Sequence, residues 1–168
     1  TEEFPPISEA ELDYYEHECR RAAETGLGII ANFGGTAIGD ISGVPGPGLK
    51  HPKGIRDVTE WYMSTLMRPD YLHQVFRRQT DVAVANLQKI FARVGNTPDA
   101  VFICGTDFGT QDSQFCSVDT FRDLYAPYYK RINSWIHENT EWKTFKHSCG
   151  AVQPFMKEFI DAGFDIIN

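Results

Sequence analysis

The fold is decided by a short stretch near the carboxyl end of the sequence, Thr144-Phe145-Lys146-His147-Ser148-Cys149-Gly150. This stretch is typical of a short β-strand, in which successive side chains point to opposite faces. We therefore expect His147 and Cys149 on one face and Ser148 on the other. Residues 151–160 carry apolar side chains at helical spacing. The His-x-Cys pair is thus expected at the carboxyl end of a strand, directly before a helix.

An imidazole and a thiol at such a strand end are a candidate metal site. The carboxyl ends of parallel strands are where α/β proteins place their chemistry, and these two ligand types suit a borderline-soft metal such as Zn²⁺. A zinc site needs at least three protein ligands, and Cys116 is a candidate for the third. The alternative is that His147 and Cys149 only pack in the core.

Length and composition are those of an ordinary globular domain. The 168 residues are 42% hydrophobic and 23% charged, which argues against disorder. The net charge of -7 gives no electrostatic footprint for nucleic acid, and no basic run is present that would hold a membrane surface. We expect neither nucleic acid nor a membrane among the partners.

The four cysteines are scattered along the chain, and none of them forms a CxxC motif. There is also no signal peptide and no apolar stretch of about 18 residues. These features predict a cytoplasmic protein without disulfides. Cys104 lies inside an apolar run and is expected to pack in the core.

Three further buried strands and, with the helix after Gly150 included, five helices are predicted from apolar runs, helical spacing and capping residues. Ser8 and Glu11 form a capping box at the start of the first helix, and Ser117 caps a long aromatic-rich helix. The predicted strands are residues 28–33, 100–105 and 164–168, and the predicted helices are 9–24, 55–67, 69–94, 118–138 and 152–162.

Residues 34–54 form the least regular stretch, since glycine and proline recur throughout it. A loop of this length inside a compact domain is usually a functional lid or a mobile segment. It is not a phosphate-binding loop, because neither GxxxxGK[ST] nor GxGxxG is present.

Acid and amide groups follow the predicted strands. Asp107 and Gln111 come after the strand at 100–105, where its carboxyl end is expected, and Asn32 lies in the strand at 28–33. Asp107 is a candidate catalytic residue, and Asn32, Asp107 and Gln111 are candidate substrate-binding residues.

The alternation of buried strands and helices predicts an α/β fold with a parallel sheet and right-handed crossovers. The sequence stops on its fourth strand, so one sheet edge must be paired or covered. The chain is either a piece of a larger barrel or an open sheet completed by a partner chain, and we favour the piece. We therefore expect residues 1–168 to be a single partial (β/α)8 TIM-barrel domain, about half of the barrel, and self-association through the edge is a fair expectation.

These residues, taken in order, resemble the uroporphyrinogen decarboxylase superfamily, whose members are (β/α)8 barrels about twice this length. The resemblance covers about residues 25–168. It rests on the following motifs: Asp107-x-Gly109-Thr110-Gln111, then Ser117, Phe121 and Pro127, then His147-Ser148-Cys149-Gly150, and then Gly163-x-Asp165-Ile166-Ile167-Asn168.

What the resemblance implies depends on the branch of the superfamily. In the methyltransferase branch, His147 and Cys149 would be zinc ligands together with a later cysteine. The zinc would hold a small-molecule thiol as thiolate, and this thiolate would accept a methyl group from methylcobalamin carried by a partner corrinoid protein. A metal lowers the pKa of a bound thiol, which supports this chemistry.

Two alternatives remain open. In the decarboxylase branch no metal is used, and acidic and hydroxyl side chains bind the porphyrinogen. A third reading is a non-catalytic barrel fragment that binds a small molecule or a partner. Cys149 favours methyl transfer, and we expect the 168-residue chain alone to be inactive.

Overall fold

A computed structural model describes residues 4–40, 55 and 57–168 of the chain. Most of the stretch predicted to be a lid, residues 34–54, lies outside the described residues. Within its described part, Gly34, Gly35 and Gly39 all have positive φ angles, which only glycine adopts readily.

Four parallel strands form one sheet in the order β1-β2-β3-β4. Neighbours in the sheet are thus neighbours in sequence, as predicted, and helical segments run between them. The two edge strands are shorter than predicted, since only two residues of each pair with the neighbouring strand. The strands are β1 (Ile30–Ala31), β2 (Ala100–Cys104), β3 (Lys143–Lys146) and β4 (Ile166–Ile167).

The helices begin at the residues that the capping signals indicate. Ser8 and Glu11 form the predicted capping box, Pro69 occupies the first turn of the longest helix, and Gly95 ends that helix with φ 56°. The predicted helix at 55–67 starts three residues later, because the Asp57 side chain accepts the N–H of Glu60. The α-helices are α1 (Glu9–Ala23), α2 (Val58–Met67), α3 (Pro69–Val94), α4 (Val118–Thr120), α5 (Ala126–Asn139) and α6 (Met156–Asp161).

The long helix predicted at 118–138 is interrupted by a π-helical turn, Phe121–Tyr125, between α4 and α5. Here the N–H of Ala126 reaches back five residues to the carbonyl of Phe121. Pro127 follows directly and has no N–H, so the regular i to i−4 ladder cannot continue through this point. The Ser117 cap itself is as predicted, since its hydroxyl accepts the N–H of Thr120 at 3.0 Å.

The predicted final helix at 152–162 is also divided. A 3-10 turn, Gln153–Phe155, precedes α6. Phe155 and Phe159 are fully buried, whereas Ile160 remains 62% exposed, so only part of the predicted apolar stripe faces the core.

The core lies between the helices and one face of the sheet. A cluster of aromatic rings fills it, with centroids 5.0–6.1 Å apart in edge-to-face, tilted and stacked contacts. Cys104 is fully buried, as expected for a packing residue. The rings of the cluster belong to Phe108, Phe121, Tyr125, Phe155 and Phe159.

The other face of the sheet is less covered. Phe102 and Phe145 are paired across β2 and β3, with ring centroids 5.4 Å apart. On the edge strands of the same face, Ile30 is 61% and Ile166 is 37% exposed. None of the described helices is long and apolar enough to cross a bilayer.

The amino-terminal end of β3 is fixed by a carboxylate. Asp165 Oδ2 accepts the backbone N–H of Thr144 at 2.8 Å and lies 2.8 Å from Nε2 of His137. Burial alone would raise the pKa of Asp165, but the hydrogen bonds from Thr144 and His137 outweigh burial and lower it. A lowered pKa means that the charged carboxylate stabilises the folded state.

We expect Asp165→Asn to lower the free energy of unfolding at pH 7 by about 1–2 kcal/mol, because charge-assisted hydrogen bonds are lost. The contribution of Asp165 is fully present above the unfolded-state pKa and disappears as the pH falls through the lowered folded-state value. Urea unfolding at pH 7 and at pH 3 measures it, with the exposed Glu138→Gln as a control. A difference between wild type and Asp165→Asn that is as large at pH 3 as at pH 7 would contradict this.

Candidate metal centre

His147 and Cys149 leave the end of β3 on the same side of the chain. Nε2 of His147 lies 3.1 Å from Sγ of Cys149, while Ser148 points the other way and is buried. The Ser148 hydroxyl accepts the backbone N–H of Phe108 at 2.9 Å. The alternation inferred from the sequence therefore continues beyond the last paired residue of the strand.

Asp107 joins this pair from the neighbouring strand end. It comes three residues after β2, and its Oδ1 accepts the backbone N–H of Cys149 at 2.7 Å. One ligand atom from each of Asp107, His147 and Cys149 lies within 4.8 Å of the others. The structure thus brings a carboxylate oxygen, an imidazole nitrogen and a sulfur atom to one point.

Two glycines let the loops after β2 and β3 cross at close range. A Cβ on Gly109 would lie 2.6 Å from the backbone nitrogen of Ala151, and a Cβ on Gly150 would lie 2.4 Å from the carbonyl oxygens of Gly109 and Thr110. Gly150 also has φ +85°. The N–H of Ala151 donates to the carbonyl of Thr110 at 2.8 Å. Any side chain at either glycine would push the loops, and with them Asp107 and Cys149, apart.

Asn168 orients the imidazole. Its Oδ1 lies 2.9 Å from Nδ1 of His147. With this oxygen as acceptor, Nδ1 carries the proton and Nε2 keeps its lone pair toward Cys149. A carbonyl or carboxylate on the second nitrogen is the usual companion of a metal-binding histidine.

The electrostatics of the three groups oppose a free thiolate. The negative charge of Asp107, with a smaller contribution from burial, raises the pKa of the Cys149 thiol. Cys149 is exposed, while Asp107 and His147 are partly buried. A positive ion among these side chains would offset the repulsion between the carboxylate and a thiolate.

The donor set fits zinc. Nitrogen, sulfur and oxygen ligands at about 2.0–2.3 Å from a tetrahedral ion lie about 3.6 Å from one another. The separation of 3.1 Å between Nε2 and Sγ, and the 4.8 Å limit for the whole group, need only small side-chain movements to match this.

Cys116, the candidate for a third ligand, does not belong to this group in the part of the chain that the structure describes. It lines a cavity of about 390 Å³ between α2 and residues 115–120, together with Tyr62 and Phe115. Burial raises the pKa of its thiol to about 11. The third member of the group is Asp107, which follows the strand next to β3.

The other predicted site residues lie in their own loops. Asn32 is exposed, and its Oδ1 accepts the N–H of Gly34 at 3.1 Å. Gln111 is exposed in the turn closed by the N–H of Thr110 and the carbonyl of Ser113, at 2.7 Å. Neither belongs to the group formed by Asp107, His147 and Cys149 among the described residues.

Sequence reasoning did not assign a role to Asn168, although Asn168 ends the last motif of the resemblance. The position of Asn168 is nevertheless a signal for its contact with His147, because Asn168 directly follows β4 as His147 directly follows β3. The ladder continues there, since the N–H of Ser148 donates to the carbonyl of Asn168 at 3.2 Å. A polar residue directly after each of two adjacent parallel strands predicts such a contact.

Comparisons with known proteins place this geometry in a family. A solved structure of a methyltransferase from Methanosarcina mazei superimposes with a TM-score of 0.59 at 16% sequence identity, covering 94% of this chain and 40% of that one. This chain therefore spans well under half of the length of that structure. A search of curated protein sequences gives no significant match.

The structural match and the sheet topology confirm the predicted fold class, a partial (β/α)8 barrel. The sequence model of the uroporphyrinogen decarboxylase family matches residues 51–168, which include all three grouped ligands and Asn168. The chain belongs to the uroporphyrinogen decarboxylase family.

Proposed function

We propose that this chain carries the metal-binding strands of a methyltransferase in which zinc activates a small thiol to accept a methyl group. The observation that carries the proposal is the convergence of Asp107, His147 and Cys149 within 4.8 Å at the carboxyl ends of two adjacent parallel strands. These strand ends are where barrel enzymes place their reactive groups.

The state of Cys149 favours a metal ligand over a cysteine nucleophile. A nucleophilic cysteine needs surroundings that lower its pKa, whereas the neighbouring carboxylate of Asp107 raises the pKa of Cys149. The same carboxylate is a useful partner once a divalent cation lies between the two groups. A thiolate and a carboxylate then both stabilise the ion, and their mutual repulsion is offset.

Zinc, when bound, would hold the sulfur of the acceptor as thiolate at neutral pH. The chain itself would supply the orientation. Asn168 would keep the lone pair of His147 Nε2 directed at the ion, and Gly109 and Gly150 would let the two strand-end loops stay close enough for Asp107 and Cys149 to reach it. In this proposal Asp107 stands in the place of the later cysteine that the resemblance implies. Three protein ligands would leave a fourth position for the acceptor, as in catalytic zinc sites.

Asp107 acts in this proposal as a ligand and a positioning group, not as a free general base. One of its oxygens already accepts the N–H of Cys149 at 2.7 Å, which ties the carboxylate to the ligand loop. Asn32 and Gln111, both exposed at loop positions, are the proposed contacts to the acceptor. Methylcobalamin on a partner corrinoid protein is the proposed methyl donor, and the reaction as a whole is proposed for the polypeptide in which the barrel is complete.

Zinc content is the first test, on the longest polypeptide that contains this chain. We expect close to one zinc per wild-type molecule and less than about a tenth of that in Cys149→Ala, because a soft ligand is removed. Cys116→Ala is the matched control: it also removes a thiol, but one that lies in the cavity between α2 and residues 115–120. It should keep the zinc.

Zinc content is measured by elemental analysis after dialysis. A folded wild-type protein without zinc would exclude the proposal and leave the metal-free decarboxylase or a binding role. Equal zinc loss in both cysteine variants would show that neither loss reports on the site.

Methyl transfer is the second test. We expect thiol-dependent loss of the methylcobalamin absorbance with the wild-type protein and at least a 100-fold slower rate with Cys149→Ala, since thiolate activation is removed. The rate with Cys116→Ala should stay within about threefold of wild type. Decarboxylation of a porphyrinogen without methyl transfer would instead assign the decarboxylase activity.

The third test concerns the orientation of His147. We expect Asn168→Ala to weaken zinc binding by about 10–100-fold, as is usual when the partner of a metal-binding histidine is removed. Asn168→Asp keeps an oxygen acceptor for Nδ1 and should retain most of the affinity. Asn139→Ala, which removes an exposed side chain bonded to the Trp135 carbonyl, is the control. Affinities come from competition with a chromogenic chelator, and unchanged affinity in Asn168→Ala would contradict the role of Asn168.

A further inference from the structure

A lysine lies inside the core directly behind the candidate metal centre. Lys146 is the last residue of β3 and is fully buried, on the face of the strand opposite His147. An ammonium group is costly to remove from water unless polar groups satisfy it. The ammonium group at this position therefore calls for an explanation.

The ammonium group of Lys146 donates hydrogen bonds to the exits of two strands. Nζ lies 2.9 Å from the carbonyl oxygen of Thr106 and 3.0 Å from that of His147. It also lies 3.6 Å from Sγ of Cys104 and 4.8–4.9 Å from the ring centroids of Phe108 and Phe159. The charge is therefore held by two carbonyl dipoles, a sulfur atom and two aromatic faces.

The two carbonyl groups belong to the main chain that carries the ligands. Thr106 directly precedes Asp107, and His147 is itself a ligand in the proposed site. The paired register between β2 and β3 ends at Cys104 and Lys146, so both carbonyl groups lie beyond the paired residues. The ammonium group therefore bonds to both strand exits just beyond the end of the sheet, on the core side.

The side of the site that faces solvent is tied by other contacts. There the carboxylate of Asp107 accepts the N–H of Cys149. On the core side, the buried hydroxyl of Ser148 accepts the N–H of Phe108. Lys146 therefore adds a second link between the two exits on the core side of Asp107 and His147.

We propose that Lys146 is a positioning residue of the metal centre, whose ammonium group fixes the main chain of Thr106 and His147 and so sets the spacing between Asp107 and His147. This inference rests on the proposed function, because it assumes that these side chains bind a metal. It assigns Lys146 no contact with the metal, the substrate or the cofactor.

A purely structural role would affect folding stability and leave metal affinity unchanged, so the test separates the two. Lys146→Met keeps the length of the side chain and its packing between Phe108 and Phe159 but removes the donors. Thr144→Val is the matched control. Thr144 is fully buried on the same face of β3, and its hydroxyl donates to the carbonyl of Gly163 at 2.8 Å, at the end of the strand away from the ligands.

The measurement is Co²⁺ binding to the metal-free protein, followed by the absorption bands of cobalt bound to a thiolate and by competition with a chelator. We expect wild type and Thr144→Val to agree within about twofold. Lys146→Met should bind about 10–100-fold more weakly, with shifted bands, because the ligand spacing is no longer fixed. Lys146→Gln, whose amide can still donate to one carbonyl, should lie between and serves if Lys146→Met does not fold.

The outcomes are distinguishable. If wild type binds no Co²⁺ or Zn²⁺, the proposed function fails and the inference fails with it. If wild type binds and a folded Lys146→Met or Lys146→Gln binds equally well with unchanged bands, the proposed function stands and the role of Lys146 is overturned. An equal loss of affinity in Thr144→Val would overturn it as well, since general destabilisation would then explain the loss.

Discussion

The candidate site depends on how closely the exits of β2 and β3 approach each other. The hydrogen bond from the N–H of Cys149 to Asp107, 2.7 Å long, is the contact that joins them at the ligands. It is only as short as this because two glycines, Gly109 and Gly150, cross with backbone atoms where any Cβ would collide. The backbone therefore sets the spacing of Asp107, His147 and Cys149.

The close approach of the two strand exits also brings together Asp107 and Cys149, two groups that can carry a negative charge. Asp107 raises the pKa of Cys149. Burial lowers the pKa of Lys146, and the interactions of its ammonium group with Cys104 and, more weakly, Asp107 oppose this effect only in part. The arrangement stacks a buried cation, a carboxylate and an exposed thiol in successive positions from the core to the solvent. A divalent cation at the outer position, as in the proposed function, would complete the alternation of charge.

Much of the architecture follows from local sequence rules. Strand alternation placed His147 and Cys149 together, and Ser8, Pro69 and Ser117 start helices where capping rules predict. These rules work because each depends on a few neighbouring residues. The sequence offered Cys116 only as a possible third member of the group, and it did not indicate that Asp107 would lie beside His147 and Cys149, because this depends on how two loops fold over each other and not on spacing along the chain. The π-helical turn has a local cause in Pro127, which has no N–H, and the helix predicted at 118–138 did not allow for it.

The burial of Lys146 could not be predicted from its residue type. A lysine in a strand is normally assigned to solvent, yet here the period of the strand sends it into the core, because His147 and Phe145 occupy the opposite face. The pattern that places the ligands outward thus forces the residue between Phe145 and His147 inward. At that position the strand ends, and the carbonyl groups of Thr106 and His147 lie beyond the paired residues. A long side chain with several donors can bond to both of them. An apolar side chain would leave both carbonyl groups buried without partners. Burying the ammonium group costs free energy, but leaving two carbonyl groups unpaired beside His147 and Asp107 would also cost free energy. This balance explains why a charged residue is tolerated among the aromatic rings of the core.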